Sequence, residues 1–200
     1  MGGRILGRLD GKTVAIVIAN EFEDIELLYP ILRLSEEGAK VVVVPMEIGL
    51  HPRPSAKKPV SGRYGTPVPI EVMAEGKRYV CSKIGDLDPK KIDCLLFPGG
   101  FSPDALRLDE RVLALTKKMN SLAKFIAAIC HGPQVLISAN LAKGRRVTSY
   151  VAVRDDLINA GAKFVDAPAI RDGNIITGRV PDDLPEFCQE IIKALSEKSA

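Results

Sequence analysis

Histidine is scarce in this 200-residue chain, and its scarcity limits the chemistry available. Only His51 and His131 are present, so any mechanism that needs an imidazole base must use one of these two side chains. Long apolar runs are also absent, because no stretch approaches the roughly 18 to 20 residues of a membrane span. The N-terminus lacks the hydrophobic segment of a signal peptide. We therefore expect a cytoplasmic protein with no membrane partner.

An excess of one charge is missing as well. The 28 basic and 25 acidic residues give a net charge of +3 and are interspersed along most of the chain. No sustained basic face results, so nucleic acid is not an expected partner.

Paired cysteines are a third absence. The four cysteines are widely spaced, with no CxxC motif and no spacing typical of a disulfide framework or a zinc site. We therefore expect free thiols, no metal and no cofactor. Cys81, Cys94 and Cys188 have no distinctive context and are predicted to be small, buried apolar side chains.

Short β-branched runs do alternate with longer amphipathic stretches. This pattern predicts a single α/β domain with an open, mostly parallel, flavodoxin-like sheet and helices on both faces. The predicted strands are 13–19, 40–44, 93–97, 125–129, 146–148 and 163–165, with a hairpin of 169–171 and 175–177. The predicted helices are about 25–37, 110–121, 133–139, 154–160 and 182–196.

The domain limits follow from the same pattern. We assign residues 1–12 to an N-terminal arm and residues 13–197 to the domain. Residues from about 46 to 69 are rich in Pro, Gly, Lys and Arg and predict an irregular insertion. A small hairpin is expected next, with one arm at 70–73, the other at 78–81, and a turn at Glu75-Gly76 between them.

Cys130 lies on a sharp turn between the strand 125–129 and an apolar helix, an arrangement typical of a nucleophile elbow. Gly132 allows a tight bend, and Pro133 has the φ favoured at a first helical position. Such a turn exposes the thiol and directs the positive end of the helix at the sulfur, which lowers the thiol pKa. We therefore predict that Cys130 is a reactive nucleophile rather than a core residue.

Pro98-Gly99-Gly100 ends another predicted central strand, and the carboxyl ends of parallel strands meet at one crevice. Glycines there leave backbone N–H groups unobstructed. An N–H near Gly100 and the N–H of His131 are therefore candidates to bind a developing oxyanion. A glycine pair that only makes a turn is the alternative.

Four acids follow the first strand, within residues 20–26. Glu23 and Glu26 share a face if this segment is helical, and Pro30 predicts a kink. A carboxyl beside a thiolate can stay protonated and donate a hydrogen bond to sulfur, because two adjacent anions are costly. An acidic helix start is the alternative.

His131 directly follows the candidate nucleophile, and no later histidine exists. α/β-Hydrolases and class I glutamine amidotransferases place their catalytic histidine well downstream of the nucleophile, so the sequence fits neither class. His131 can act as a base only if another group orients its ring.

Taken together, these motifs resemble the ThiJ/PfpI family, a branch of the amidotransferase-like fold that includes intracellular cysteine peptidases and glyoxalase or deglycase relatives. The resemblance spans nearly the whole chain. It rests on residues 19–24 with Glu26 and Pro30, 97–100, 128–133, 148–150 and 155–161.

The resemblance implies roles for particular residues. Cys130 is the nucleophile and Glu26 is the carboxyl beside it, with Glu23 nearby. The residues implied in substrate or oxyanion binding are Gly99, Gly100, His131 and Tyr150.

In PfpI-type peptidases the histidine after the cysteine pairs with an acid of a neighbouring subunit. Asp104 occupies the matching position, where the family pattern has Glu, and Phe101 stands where the pattern often has Arg. Family members form dimers or larger rings, so the resemblance implies a homo-oligomer, either a dimer or a hexamer.

Three functions are compatible with these assignments. The favoured one is addition of the Cys130 thiolate to a small reactive carbonyl such as methylglyoxal, with Glu26 or His131 moving a proton as the thiohemiacetal becomes a hydroxy acid. The second is an intracellular peptidase, in which His131 and Asp104 supply base and acid. The third is a redox sensor or chaperone, in which Cys130 is oxidised to sulfinic acid and turns nothing over.

Overall fold

The computed structural model describes residues 7–48, 59–73 and 78–197, and its centre is a seven-stranded sheet. All neighbouring strands are parallel except the last pair at one edge, so the predicted mostly parallel sheet is confirmed. In spatial order the strands are β10 (Ala169–Asp172), β11 (Ile175–Gly178), β7 (Phe125–Ile129), β6 (Cys94–Phe97), β1 (Thr13–Ile18), β2 (Lys40–Pro45) and β5 (Val80–Cys81).

Helices cover both faces of this sheet because its central strands are apolar at nearly every position. The helices are α1 (Asp24–Glu36), α2 (Ser102–Leu106), α3 (Glu110–Ser121), α4 (Pro133–Ser138), α5 (Arg154–Asn159) and α6 (Leu184–Glu197). On one face Ile16 and Ala127 pack with α1 and α6. On the other face Ala15 and Ala128 pack with α2, α3 and α4.

Helix α1 runs through Pro30, although proline cannot donate the N–H that would bond the Glu26 carbonyl. Residues 7–12 of the predicted N-terminal arm pack on the end of this helix. Leu9 is fully buried, and its N–H donates to the Glu37 carbonyl at 2.8 Å. This segment is therefore attached to the domain through Leu9.

The hairpin predicted for residues 70–81 is wrong. Glu71–Met73 is a 3-10 turn, and Val80–Cys81 pairs in parallel with β2, whose outer edge offers unpaired backbone groups. The predicted turn Glu75-Gly76 lies outside the described residues. The prediction of a buried Cys81 is also wrong, because the edge position of β5 leaves this side chain exposed.

The insertion at 46–69 is more ordered than the sequence indicates. Residues 49–58 lie outside the described part, but β3 (Val60–Ser61) and β4 (Pro67–Val68) form a two-stranded antiparallel sheet. The Asp24 carboxylate accepts hydrogen bonds from the backbone N–H groups of Tyr64 at 2.9 Å and Thr66 at 3.0 Å. This hairpin is therefore fixed at the start of α1.

The C-terminal half follows the prediction more closely. Short strands β8 (Arg146–Val147) and β9 (Lys163–Phe164) pair in parallel beside the main sheet, and the predicted hairpin is β10 with β11. Across the described ranges, no helix is long and apolar enough to cross a membrane.

Candidate active site

The site lies where three adjacent strands end. β7, β6 and β1 are neighbours in the sheet, so their carboxyl ends lie side by side. They are followed by Cys130, by Pro98-Gly99-Gly100 and by the segment that leads into Glu26. This edge is the usual position of a ligand crevice in an open α/β sheet, and the predicted convergence is confirmed.

The turn at Cys130 is the predicted elbow. Cys130 has a φ of +60°, a left-handed conformation that a residue with a side chain rarely adopts and that costs on the order of 1–3 kcal/mol. Its N–H donates to the Gly178 carbonyl at 3.1 Å, and its carbonyl accepts from the Tyr150 N–H at 3.0 Å. A Cβ on Gly132 would lie 2.4 Å from the Phe97 carbonyl oxygen, so only glycine allows this turn to pack against β6.

The Cys130 side chain is less exposed than predicted, because the residue is only 8% accessible. Burial raises the pKa of its thiol, and a negative charge on Glu26 raises it further. The N–H groups of Gly100 and His131 lie against the sulfur and act in the opposite direction. The prediction of a lowered thiol pKa is therefore wrong in direction, because burial outweighs the two N–H contacts.

Glu26 is fully buried beside this thiol, close enough for each group to shift the pKa of the other. Removal from water raises the pKa of the carboxyl to about 8, and the charge of Glu23 adds to this effect. Oε2 accepts the N–H of Gly99 at 2.6 Å, whereas Oε1 has no hydrogen-bond partner among the described residues. With a pKa of about 8 the carboxyl is mostly protonated at neutral pH, and its side-chain contact with Cys130 lowers this pKa only in part.

Gly99 lies at the site but does not have the role that was predicted for it. Its N–H is already donated to Glu26, so it is not available to an oxyanion. A Cβ at this position would lie 2.6 Å from the Cys130 Cβ and 2.9 Å from Glu26 Oε2. Gly99 therefore allows the thiol and the carboxyl to approach, and the N–H groups of Gly100 and His131 lie against the Cys130 sulfur.

His131 is half-buried with Nδ1 at 3.3 Å from the Cys130 sulfur. Burial lowers the pKa of the imidazole, so the ring is neutral at pH 7 and can accept a proton. The Tyr150 ring lies 5.0 Å from the His131 ring, centroid to centroid, and fixes one side of it.

Asp104, at the start of α2, is close enough to raise the pKa of His131 within a single chain. The resemblance implies that Asp104 pairs with the histidine of a neighbouring subunit, and that pairing stays a prediction. No hydrogen bond joins Asp104 to His131 in the described part of the molecule, so the acid acts on the imidazole through its charge.

Arg63 is the site residue that the sequence reasoning missed. Its Nη1 donates to Glu23 Oε2 at 3.1 Å, and its guanidinium lies 5.1 Å from the Phe101 ring centroid. Glu23 in turn donates its N–H to the Gly99 carbonyl at 3.2 Å. Glycines at 62 and 65 between two valine-containing segments were the signal for a hairpin that returns Arg63 to α1.

His51 lies outside the described residues. Among those that are described, no group of three or more His, Cys, Asp or Glu side chains is arranged to hold a metal ion.

The fold and the elbow define an α/β protein with a cysteine at the strand-to-helix turn above its sheet. Comparison with known proteins makes this specific: the chain belongs to the DJ-1/PfpI family, whose model matches residues 12–194. The resemblance drawn from the motifs is confirmed.

Individual relatives agree with this assignment. A deglycase of Pyrococcus abyssi is 41% identical over 182 residues, which are 91% of this chain and 98% of that protein. YraA of Bacillus subtilis, whose name describes a proposed cysteine protease, is 41% identical over 184 residues, 92% of this chain and 98% of that protein. The crystal structure of Drosophila melanogaster DJ-1beta matches with a TM-score of 0.77 and 25% identity, over 93% of this chain and 91% of that chain.

Proposed function

We propose that the protein is a cysteine-dependent enzyme of the glyoxalase or deglycase type that acts on small reactive carbonyl compounds such as methylglyoxal. The observation that carries the proposal is the fully buried Glu26 carboxyl beside the Cys130 thiol, where burial raises the pKa of the carboxyl to about 8. The name of the Pyrococcus abyssi relative supports the same class of chemistry.

Formation of the thiolate is the first step. Because the thiol pKa is raised, the free thiolate is rare at neutral pH, and the proton needs an acceptor. His131 Nδ1 lies 3.3 Å from the sulfur and is neutral, so it takes the thiol proton as the sulfur attacks.

Addition to the aldehyde follows. A sulfur–carbon bond forms, and the carbonyl electron pair moves to oxygen. The N–H groups of Gly100 and His131, which lie against the sulfur, are placed to stabilise the oxyanion. Glu26 then gives its proton to the oxyanion, which yields the thiohemiacetal and leaves Glu26 as a carboxylate.

The carboxylate then completes the conversion. It takes the proton from the carbon bonded to sulfur and returns it to the neighbouring carbonyl carbon, while the hydroxyl proton moves to the second oxygen. The product is a thioester of Cys130. Water attacks it and gives a proton to the Glu26 carboxylate, and the departing sulfur takes back the proton held by His131, so that the hydroxy acid, the free thiol, neutral His131 and protonated Glu26 are obtained. For methylglyoxal the net reaction adds one water and gives lactic acid.

The test is a turnover assay with methylglyoxal and no glutathione, which follows loss of the dicarbonyl and appearance of lactate. We expect Cys130→Ala to lower kcat by about a thousandfold or more, because the covalent route is lost. Cys188→Ala removes another buried thiol and should keep activity. Equal rates for the wild type and Cys130→Ala would refute the proposal.

A peptidase is the second candidate, and the charge of Asp104 near His131 favours it. The name of YraA points the same way. If this candidate holds, a fluorogenic peptide is cleaved by the wild type, and Asp104→Ala abolishes the cleavage. The redox-sensor alternative, the homo-oligomer and the cytoplasmic location stay predictions.

A further inference from the structure

Arg63 is held beside the site by both its backbone and its side chain. Its backbone N–H donates to the Phe22 carbonyl at 2.9 Å, immediately before Glu23. The guanidinium lies over the Phe101 ring, and Phe101 directly follows Gly100. One edge of the guanidinium is therefore fixed by Glu23 and one face by Phe101.

Most of the hydrogen-bonding capacity of this guanidinium is unused. The group has five N–H donors. Within the described residues its one hydrogen bond is from Nη1 to Glu23 at 3.1 Å. The Arg63 side chain is 40% exposed, so the remaining donors can reach a ligand from solvent.

The charge of Arg63 also reaches the reacting groups. It lowers the pKa of Glu26 and that of His131, the two side chains beside the sulfur. Two acids face the same region: Glu23 is paired with Arg63, and Asp104 acts on His131. Contacts join Arg63 to the same place, because Glu23 donates its N–H to the Gly99 carbonyl at 3.2 Å and a Cβ on Gly99 would lie 2.6 Å from the Cys130 Cβ. A ligand anion bound by Arg63 would thus lie beside the reacting groups.

We propose that Arg63 is a specificity-determining residue that binds a carboxylate carried by the carbonyl substrate of Cys130. The preferred substrates are then 2-oxoaldehydes that also carry a carboxylate, with neutral dicarbonyls such as methylglyoxal as poorer substrates of the same chemistry. A planar guanidinium matches a carboxylate with two parallel hydrogen bonds. Because Glu23 and Phe101 already order the side chain, binding requires little further ordering. This inference rests on the proposed carbonyl chemistry of the site.

Alkylation of Cys130 tests the inference without turnover. Iodoacetate and iodoacetamide place the same reactive carbon beside a carboxylate or a neutral amide. Peptide-resolved mass spectrometry gives the alkylation rate at Cys130 and, in the same molecule, at the exposed Cys81. Cys81 is a suitable internal reference because partial burial is the sole cause of its raised pKa, and no charged group among the described residues contributes. We expect the iodoacetate-to-iodoacetamide rate ratio to be about tenfold higher at Cys130 than at Cys81, from one charge-assisted contact.

Substitutions of Arg63 distinguish the effect of its positive charge from the effect of its planar shape. Arg63→Met should bring the Cys130 ratio to within about twofold of the Cys81 ratio, and Arg63→Lys should keep an intermediate ratio because a point charge remains. Arg154→Met is the matched control. Its guanidinium is 48% exposed and is paired with Asp155 at 2.8 Å, so its loss should not change the ratio.

Two results would overturn the inference. One is an equal ratio at the two cysteines of the wild type. The other is an equal slowing of both reagents by Arg63→Met and by Arg63→Lys, which would make Arg63 a positioning residue for Glu23. If the protein fails to consume methylglyoxal, the proposed function fails, and the alkylation ratio still decides the role of Arg63.

Discussion

Two buried regions of this molecule each hold a thiol, and only one of them is an active-site candidate. Cys188, in the middle of α6, is fully buried, and burial raises its pKa to about 12. Cys130 is also buried, and its pKa is raised as well. Neither accessibility nor the direction of the pKa shift distinguishes the two sulfurs.

The difference lies in the polar groups that surround each sulfur. Both cysteines belong to the apolar cluster formed by α1, α6 and the sheet, and among the described residues, apart from burial, only the charge of Arg33 acts on the pKa of Cys188. Cys130 has a neutral imidazole at 3.3 Å, a protonated carboxyl, and two backbone N–H groups directed at its sulfur. A buried thiol becomes useful when a base and an acid are buried with it, because the proton can then move without solvent.

Glu26→Gln makes the surroundings of Cys130 more like those of Cys188, because it removes the carboxyl beside the sulfur. Of the substitutions that test the difference between the two thiols, it should lower activity most. The amide oxygen of Gln can still accept the Gly99 N–H, but Gln cannot give or take a proton. We expect kcat for methylglyoxal to fall by about 10²–10³-fold, the usual contribution of a general acid or base.

Glu36→Gln is the matched control, because Glu36 lies at the exposed end of the same helix. It should leave kcat unchanged. Retention of more than half of the activity by Glu26→Gln would remove Glu26 from the proton transfers.

Glu26→Gln should also change how the free energy of unfolding depends on pH. The folded-state pKa of Glu26 is about 8, above its ordinary value of 4.5. The unfolded chain therefore ionises first as pH rises, so the contribution of this carboxyl to stability is complete below about pH 4.5 and is lost by about pH 8. Glu26→Gln lacks this dependence and should be the more stable protein at alkaline pH.

Urea unfolding at pH 5 and pH 8 measures this effect. The advantage of Glu26→Gln over the wild type should grow by on the order of 3 kcal/mol between the two pH values. Glu36→Gln should follow the wild type at both. Parallel stabilities of wild type and Glu26→Gln would show that the carboxyl is ionised in the folded protein at neutral pH.

The parts predicted correctly from sequence are those set by local pattern. β7 is apolar at all five positions, and a strand buried on both faces has this composition. The Cys-His-Gly-Pro segment predicts the elbow because glycine and proline restrict the backbone there. Topology then brings the Glu26 and diglycine segments together, since they follow neighbouring strands.

The parts predicted wrongly depend on tertiary packing. The Cys130 pKa is set by how deeply the turn is buried, which no local pattern contains. Gly99 gives its N–H to Glu26, a residue 73 positions away. Arg63 reaches the site because hydrogen bonds to Asp24 and to the Phe22 carbonyl fix the β3–β4 hairpin at the start of α1. The pKa of Cys130, the use of the Gly99 N–H and the position of Arg63 therefore become visible only in the folded structure.

The smallest expected effect concerns Asp104, whose negative charge raises the pKa of His131. Asp104→Asn removes that charge, so the imidazole should stay neutral to lower pH. The acid side of the kcat/KM profile for methylglyoxal should move down by less than about one pH unit, as expected for one partly screened charge. At pH 7 the rate should change by less than about twofold, because His131 is already neutral there.

Glu110→Gln is the control for this substitution, because Glu110 is an exposed acid at the start of α3 and should leave the profile unmoved. An acid limb that stays in place in Asp104→Asn would mean that Asp104 does not influence His131. A loss of a hundredfold or more would instead make the carboxylate an essential partner of the imidazole, as the peptidase candidate requires. Catalysis at Cys130 would then depend on the charged Asp104 as well as on the protonated Glu26. Within the described residues, the surroundings of Cys188 contain neither kind of acid.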